Sequence, residues 1–219
     1  MRSALITYSV VAVSSAIAVV ILAARASAFT DTLGLRAKFA ADQEAPAASR
    51  AAYWVDQADE NLEAGQIEKA FDSFEKGIAA EPKESVLYQN LGTVTFLYRK
   101  DAAARYQLNE QQVLDRAFEL YTKAMKLDPS NFALAVDVAA TYYGVNPPRP
   151  QQAVQAWKHA VSLATTDLEL ESAYLHLART EISAGLLEEA NESLRQVKNG
   201  VDADMKELVA RRLQAALAE

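Results

Sequence analysis

The chain has 219 residues, with 22 basic against 29 acidic side chains and a formal net charge of −7. An acidic surface repels polyanions, which excludes nucleic-acid binding as the expected role. The lack of cysteine excludes both a disulfide framework and a thiolate metal site.

Residues 3–24 contain no charged side chain, and seventeen of these 22 residues are apolar. At about 1.5 Å of rise per residue, a helix of this length crosses a hydrocarbon core of about 30 Å. Two readings follow for residues 1–28. One is an uncleaved N-terminal hydrophobic helix, a single-pass membrane anchor. The other is a secretory signal cleaved near Ala28, at the small-residue run Ala26, Ser27 and Ala28, which would leave a secreted or periplasmic protein. The uncharged stretch is longer than the roughly 7–15 residues of a signal's apolar region, and Arg25 sits awkwardly before the cleavage run, so the anchor is expected. Arg25, Arg36 and Lys38 behind the segment favour a cytoplasmic domain, whereas the signal-like features favour an extracytoplasmic, periplasmic one; the latter is the expectation. Residues 29–50, with Gly34 and Pro46 among alanines and charges, read as a linker.

From residue 51 the pattern is helical and recurrent. In residues 51–84, Trp54, Ala58 and Leu62 share one helical face, Gly65 breaks the chain, and Ala70, Phe74, Gly77 and Ile78 form a second apolar stripe that ends at Pro82. Ser49 is placed to cap the first helix. Ala70 and Gly77 flank Phe74 at intervals of four and three, a small-beside-large face that admits an aromatic ring from a neighbouring helix.

Residues 85–131 repeat the plan with Tyr88, Leu91 and Gly92, then Ala117, Tyr121, Ala124 and Pro129. The spacing from Ala70 to Ala117 is 47 residues rather than 34, an insertion placed at residues 100–113. This stretch has no Gly or Pro, and Asn109 with Gln112 three residues on reads as a helix cap. It is expected to lengthen both arms into a protruding helical hairpin, with Tyr106 and Leu108 at its tip contacting a partner.

Residues 132–167 give Ala135, Val138 and Ala139, a stiff turn at Pro147, Pro148 and Pro150, then Ala153, Trp157 and Ala160. Residues 168–200 give Tyr174, Leu177 and Ala178, a break at Gly185, then Ala190, Leu194 and Val197, with Asp167 as the expected cap. Trp54 and Trp157 are both expected to be buried at hairpin interfaces. In residues 201–219, Asp202 is placed to cap a last helix whose stripe is Met205, Leu208, Val209, Leu213 and Leu217; it would cover the open core of the fourth hairpin.

Four two-helix units at a period near 34 residues predict an all-α, right-handed solenoid of stacked helical hairpins with a C-terminal capping helix and the N-terminal hydrophobic helix before it. Over residues 51–200 the pattern resembles the tetratricopeptide repeat (TPR) family. Trp54, Gly65, Ala70, Phe74 and Pro82 carry the likeness in the first copy, and Tyr88, Leu91, Gly92, Ala117, Tyr121, Ala124 and Pro129 in the second.

The resemblance implies a concave groove lined by the outward residues of the first helix of each repeat, and a partner protein bound there. Carried over copy by copy, the candidates are Val55, Asp59 and Leu62; then Gln89, Thr93, Phe96 and Leu97; then Val136, Ala140 and Tyr143; then Leu175, Arg179 and Ile182. Family members that grip a chain terminus place lysine and asparagine where Val55 and Asp59 stand, so an apolar or helical segment is the better-matched ligand.

His159 and His176 lack a second ligand at metal spacing and read as surface or groove residues, and the seven glycines form no phosphate-cradling loop. No metal, cofactor, small-molecule substrate or catalytic residue is therefore expected. The sequence reads as a non-enzymatic membrane-tethered scaffold, adaptor or assembly factor, with a structural accessory subunit of a membrane or envelope complex as the alternative.

Overall fold

The computed structural model describes residues 47–198 and 203–218. The expected anchor or signal, most of the linker, the side chain of Ser49 and residues 199–202 with the Asp202 cap lie outside the described residues. Ten α-helices follow in order among the described residues: α1 (Ala47–Glu63), α2 (Ile67–Ala80), α3 (Ser85–Leu97), α4 (Arg99–Tyr106), α5 (Glu110–Leu127), α6 (Phe132–Thr141), α7 (Pro150–Leu163), α8 (Asp167–Ser183), α9 (Leu187–Arg195) and α10 (Ala203–Leu217). A 3₁₀ turn, Tyr142–Gly144, extends α6. Among these residues there is no strand, and no helix is long and apolar enough to cross a membrane.

Packing divides the chain into two units, with the boundary between Leu127 and Asp128. In the first, α1 pairs with α2 and α3 with α5, and α3 also packs on α1 and α2. The sharp reversals within hairpins rest on glycine: Gly65 (φ +69) joins α1 to α2, and Gly185 (φ +75) does the same between α8 and α9. Phe71, Phe74, Leu87, Leu91, Val113 and Leu114 are buried in this first unit.

The small-beside-large face works as predicted. A Cβ on Gly77 would lie 2.8 Å from Trp54 Cβ and 3.0 Å from Leu87 Cδ2, so the bare backbone of α2 is what lets α1 and α3 close on it. Gly92 gives the Tyr121 ring the same access, since a Cβ there would stand 3.1 Å from Tyr121 Cε1. Trp157 is buried, but Trp54 is only half-buried: its Cβ end seats on Gly77 while the rest of the side chain stays partly open. At the end of the first hairpin, the Arg50 guanidinium of α1 pairs with the buried Glu81 carboxylate.

The insertion departs from the expected protrusion. Its residues form the short helix α4, which packs on α2, α3 and α5. Ala102 is fully buried, and Tyr106 and Leu108, the expected tip, pack against the core of the first unit. The chain then reverses at Gln107, which takes a left-handed conformation (φ 54). Asn109 opens α5 as the sequence predicts: its side-chain oxygen accepts from Gln112 N at 2.9 Å, and the Gln112 side-chain oxygen accepts from Asn109 N at 2.9 Å.

In the second unit α6 pairs with α7 and α8 with α9, α7 packs on α8, and α10 lies across α8 and α9. The cap of α8 is Thr166 rather than Asp167. Thr166 Oγ1 accepts from Glu169 N at 3.2 Å, and the Glu169 carboxylate accepts from Thr166 N at 3.1 Å, a reciprocal box that Asp167, one residue inside the helix, does not form. On α10, Val209 and Leu213 are buried, whereas Leu208 (39% exposed) and Leu217 (58%) are not, so its covering stripe is narrower than predicted.

Candidate partner-binding faces

In the first unit the candidates lie on α1 and α3. Val55 and Leu62 are half-buried against the core margin, and Asp59 lies half-buried between them in sequence. Burial pushes the Asp59 carboxyl up to about 6, with the charges of Asp56 and Glu63 adding to the shift. A carboxyl raised in this way holds its proton in the fold at pH values where the unfolded chain has released it. Its contribution to stability is therefore lost as pH rises from 3.8 through about 6, and at pH 7 it opposes folding. After discounting for partial exposure, Asp59→Asn is expected to raise stability at pH 7 by about 1 kcal/mol, read by urea unfolding at pH 7 and again at pH 4.5, where the gain should shrink.

On α3, Thr93 Oγ1 donates to the Gln89 carbonyl at 3.1 Å and lies 3.0 Å from the Tyr121 hydroxyl, which ties the helix to α5. Gln89 is half-buried. Phe96 is buried, with the Arg99 guanidinium 4.7 Å from its ring centroid. Leu97 (42% exposed) and Val86 (37%) are the open apolar side chains of this helix.

The insertion residues form a network instead of a free tip. Arg105 pairs with Glu68 at 2.7 Å, Asp72 at 2.6 Å and Glu75 at 2.7 Å, all on α2. The Tyr106 hydroxyl donates to Glu75 at 2.7 Å, and its ring meets Phe71 edge-on at 5.8 Å between centroids. The Arg116 guanidinium lies 3.8 Å from the Tyr106 ring centroid. Burial and the Glu75 charge together push the Tyr106 hydroxyl up to about 12.

In the second unit the structure joins two predicted residues, Tyr143 and Arg179, to three that the repeat pattern does not group with them, Trp157, His176 and Thr180. Tyr143, at the end of α6, places its hydroxyl 3.2 Å from His176 Nδ1 and 3.4 Å from Thr180 Oγ1. His176 stacks on Trp157 at 4.7 Å between centroids and an interplanar angle of 11°. The Arg179 guanidinium lies over the Tyr143 ring at 4.3 Å. His176, Arg179 and Thr180 stand at i, i+3 and i+4 on α8, a spacing that puts them on one face and is the signal available in the sequence.

Burial pushes the His176 imidazole down to about 4, and the Arg179 charge adds to the shift, so the ring is neutral at pH 7. For this base, the unfolded chain takes up its proton near 6.5 and the folded chain only near 4; stability is complete above about 6.5 and falls as pH drops toward 4. Lowering pH from 7 to 4 should cost the second unit on the order of 2 kcal/mol through this group, and His176→Gln should flatten that part of a urea-unfolding pH series.

Val136 and Ala140 are half-buried against the core around Trp157. Leu175, expected on the groove, is instead a core residue: it is buried with Ala178, Val197 and Val209, because α10 covers that side of α8. Ile182 packs at the margin of the same cluster. Among the described residues no group of three or more His, Cys, Asp or Glu side chains is placed to hold a metal ion.

No protein-family model and no curated protein sequence matches the chain. Solved structures do. The chain is similar to TTC0263, a thermophilic TPR protein of Thermus thermophilus, at 19% identity and a TM-score of 0.55, covering 94% of this chain and 97% of that one. It is similar to MamA protein at 17% identity and a TM-score of 0.52, covering 78% and 92%. It is also similar to MamA, residues 41 to the end, from Desulfovibrio magneticus RS-1, at 16% identity and a TM-score of 0.50, covering 77% and 94%. Taken with the paired helices and the glycine-seated aromatic contacts, these likenesses show that the chain has the all-helical fold of tetratricopeptide repeat proteins.

Proposed function

We propose that this protein is a non-enzymatic scaffold, tethered to a membrane by residues 3–24, that binds a peptide or helical segment of a protein partner along the outward faces of its first helices. The observation that carries the reading is that these helices retain groups that folding alone does not call for. Val86 and Leu97 are open apolar side chains on α3, and Asp59 is a desolvated carboxyl on α1. Large apolar groups left open on an ordered helix are the raw material of an interface. The repeat domain is proposed to lie on the extracytoplasmic side.

The test is a pull-down from detergent-solubilised membranes with the full chain and with a chain lacking residues 1–28. The full chain should fractionate with membranes and retain a partner at fixed stoichiometry, and the shortened chain should retain that partner from the soluble fraction. Recovery of a natural species beginning at Phe29 in the soluble fraction would overturn the tether. A partner that survives Val86→Asp together with Leu97→Asp would move the binding surface off α3 and favour an accessory subunit held through other faces.

A further inference from the structure

Arg179, on α8 of the second unit, is held over an aromatic ring without an ion pair among the described residues. Arg105 engages three carboxylates, Arg50 pairs with Glu81, Arg195 with Glu192 and Arg211 with Glu207. Arg179 has no carboxylate partner among the described residues, and none of its N–H groups donates to a protein acceptor there, in a chain where acidic side chains outnumber basic ones. It is half-buried, so it gives up part of its hydration without an ion pair in return.

Its position is nevertheless well determined. One face of the guanidinium lies over the Tyr143 ring, and that ring is held through its hydroxyl by His176 and Thr180. His176 is in turn stacked on the buried Trp157. Stacking on an aromatic face leaves the in-plane N–H fork of an arginine available, and that fork matches the two oxygens of a carboxylate. Val136 and Ala140 on α6 and Ile182 on α8 add apolar side chains at neighbouring register positions, each half-buried.

We propose that Arg179, aligned by Tyr143, is the docking point for a Glu or Asp side chain carried by an otherwise apolar segment of a protein partner. Charge complementarity selects the occupant. The neutral His176 adds no second positive charge, so the site offers one guanidinium to one carboxylate and is undersupplied for a doubly charged phosphate. A side chain is favoured over a chain terminus because Val136, Ala140 and Ile182 offer no donors for a terminal peptide group, and the hydroxyls beside Arg179 are already engaged, that of Tyr143 with His176 Nδ1 and that of Thr180 with the His176 carbonyl. The inference deepens the scaffold reading above and rests on it for the identity of a natural partner.

The test uses the full chain in detergent with Trp54→Phe, so that Trp157 reports through its fluorescence. The probe is the blocked tripeptide acetyl-Leu-Glu-Leu-amide, compared with acetyl-Leu-Gln-Leu-amide and with acetyl-Leu-Leu bearing a free terminal carboxylate. The Glu peptide should give a saturable change and bind about tenfold more tightly than either of the others. Arg179→Gln should abolish that preference while the thermal unfolding midpoint stays near that of the parent, and Arg179→Lys should retain part of it because charge remains without the fork. Equal binding of the Glu and Gln peptides, preference for the free terminus, no saturable binding, or a preference that survives Arg179→Gln would each overturn the proposal. Loss of folding in Arg179→Gln would leave the decision to the peptide comparison on the parent chain and to Arg179→Lys. If the pull-down yields no partner yet the Glu peptide is preferred, the scaffold reading falls and the site stands. A stoichiometric partner indifferent to Arg179→Gln gives the opposite result.

Discussion

Phe74→Ala is expected to cost the first unit about 3–5 kcal/mol, measured by urea unfolding followed by far-UV circular dichroism. Phe74 is only 1% exposed, in a cluster with Phe71, Leu87, Leu91, Ala51 and Ala58. A ring removed from such a place leaves a cavity unless its neighbours can close in. Here they are held apart. The approach of α1 and α3 to α2 is already at its limit at Gly77, where a Cβ would stand within 3.0 Å of both Trp54 and Leu87. The site therefore collapses poorly, which puts the cost in the upper part of the usual range for a buried aromatic residue. A loss below about 1 kcal/mol would mean that the packing register of this hairpin is wrong.

Replacing residues 101–109 with a short Gly-Ser turn is expected to cost on the order of 4 kcal/mol, where the sequence alone leads to an expectation of almost no change. The deletion removes the fully buried Ala102 and uncovers the face of Phe71 that meets Tyr106. It also strands Glu68, Asp72 and Glu75, three carboxylates on one side of α2 whose shared cation is Arg105. Each single ion pair is half-exposed and worth little alone, but one guanidinium serving three acids, with the Tyr106 hydroxyl on the third, acts as a unit. Arg105→Lys should show a smaller loss, since it retains charge but not the geometry of the fork. If the excised chain unfolds within about 1 kcal/mol of the parent, α4 is a passenger on the core and the account of its docking fails.

Local features of the sequence are readable because their causes are local. A glycine at Gly65 or Gly185 marks a left-handed turn whatever surrounds it, and Asn109 followed by Gln112 three residues later closes a cap from atoms within one helical turn. Gly77 and Gly92 are readable for a related reason: a repeat brings the same small-beside-large faces together in each copy, so periodicity carries a long-range contact in coded form.

The insertion and the face of α8 carry no such code. Arg105 reaches carboxylates 30 to 37 residues earlier in the chain, and nothing in the helix-forming run around it indicates which helix it will meet. Leu175 fits an outward position in the repeat pattern, yet α8 packs on α7, α9 and α10 together, and the third of these covers the side that the repeat leaves open. His176 reads as a surface or groove residue because its neighbours in sequence do not reveal the Trp157 ring it stacks on, nor the Tyr143 hydroxyl 33 residues away.

The sequence by itself therefore determined the paired helices, the glycine turns at Gly65 and Gly185 and the small residues that seat one helix on the next, because periodicity and glycines act within a few residues or recur with the repeat. Tertiary structure alone decided that α4 folds onto α2, that Leu175 is covered while Leu97 stays open, and that Arg179 is left stacked on Tyr143 with no carboxylate partner among the described residues. Those outcomes depend on which side chains meet across separate helices, where burial and the sharing of a single charge among several distant partners set the energy.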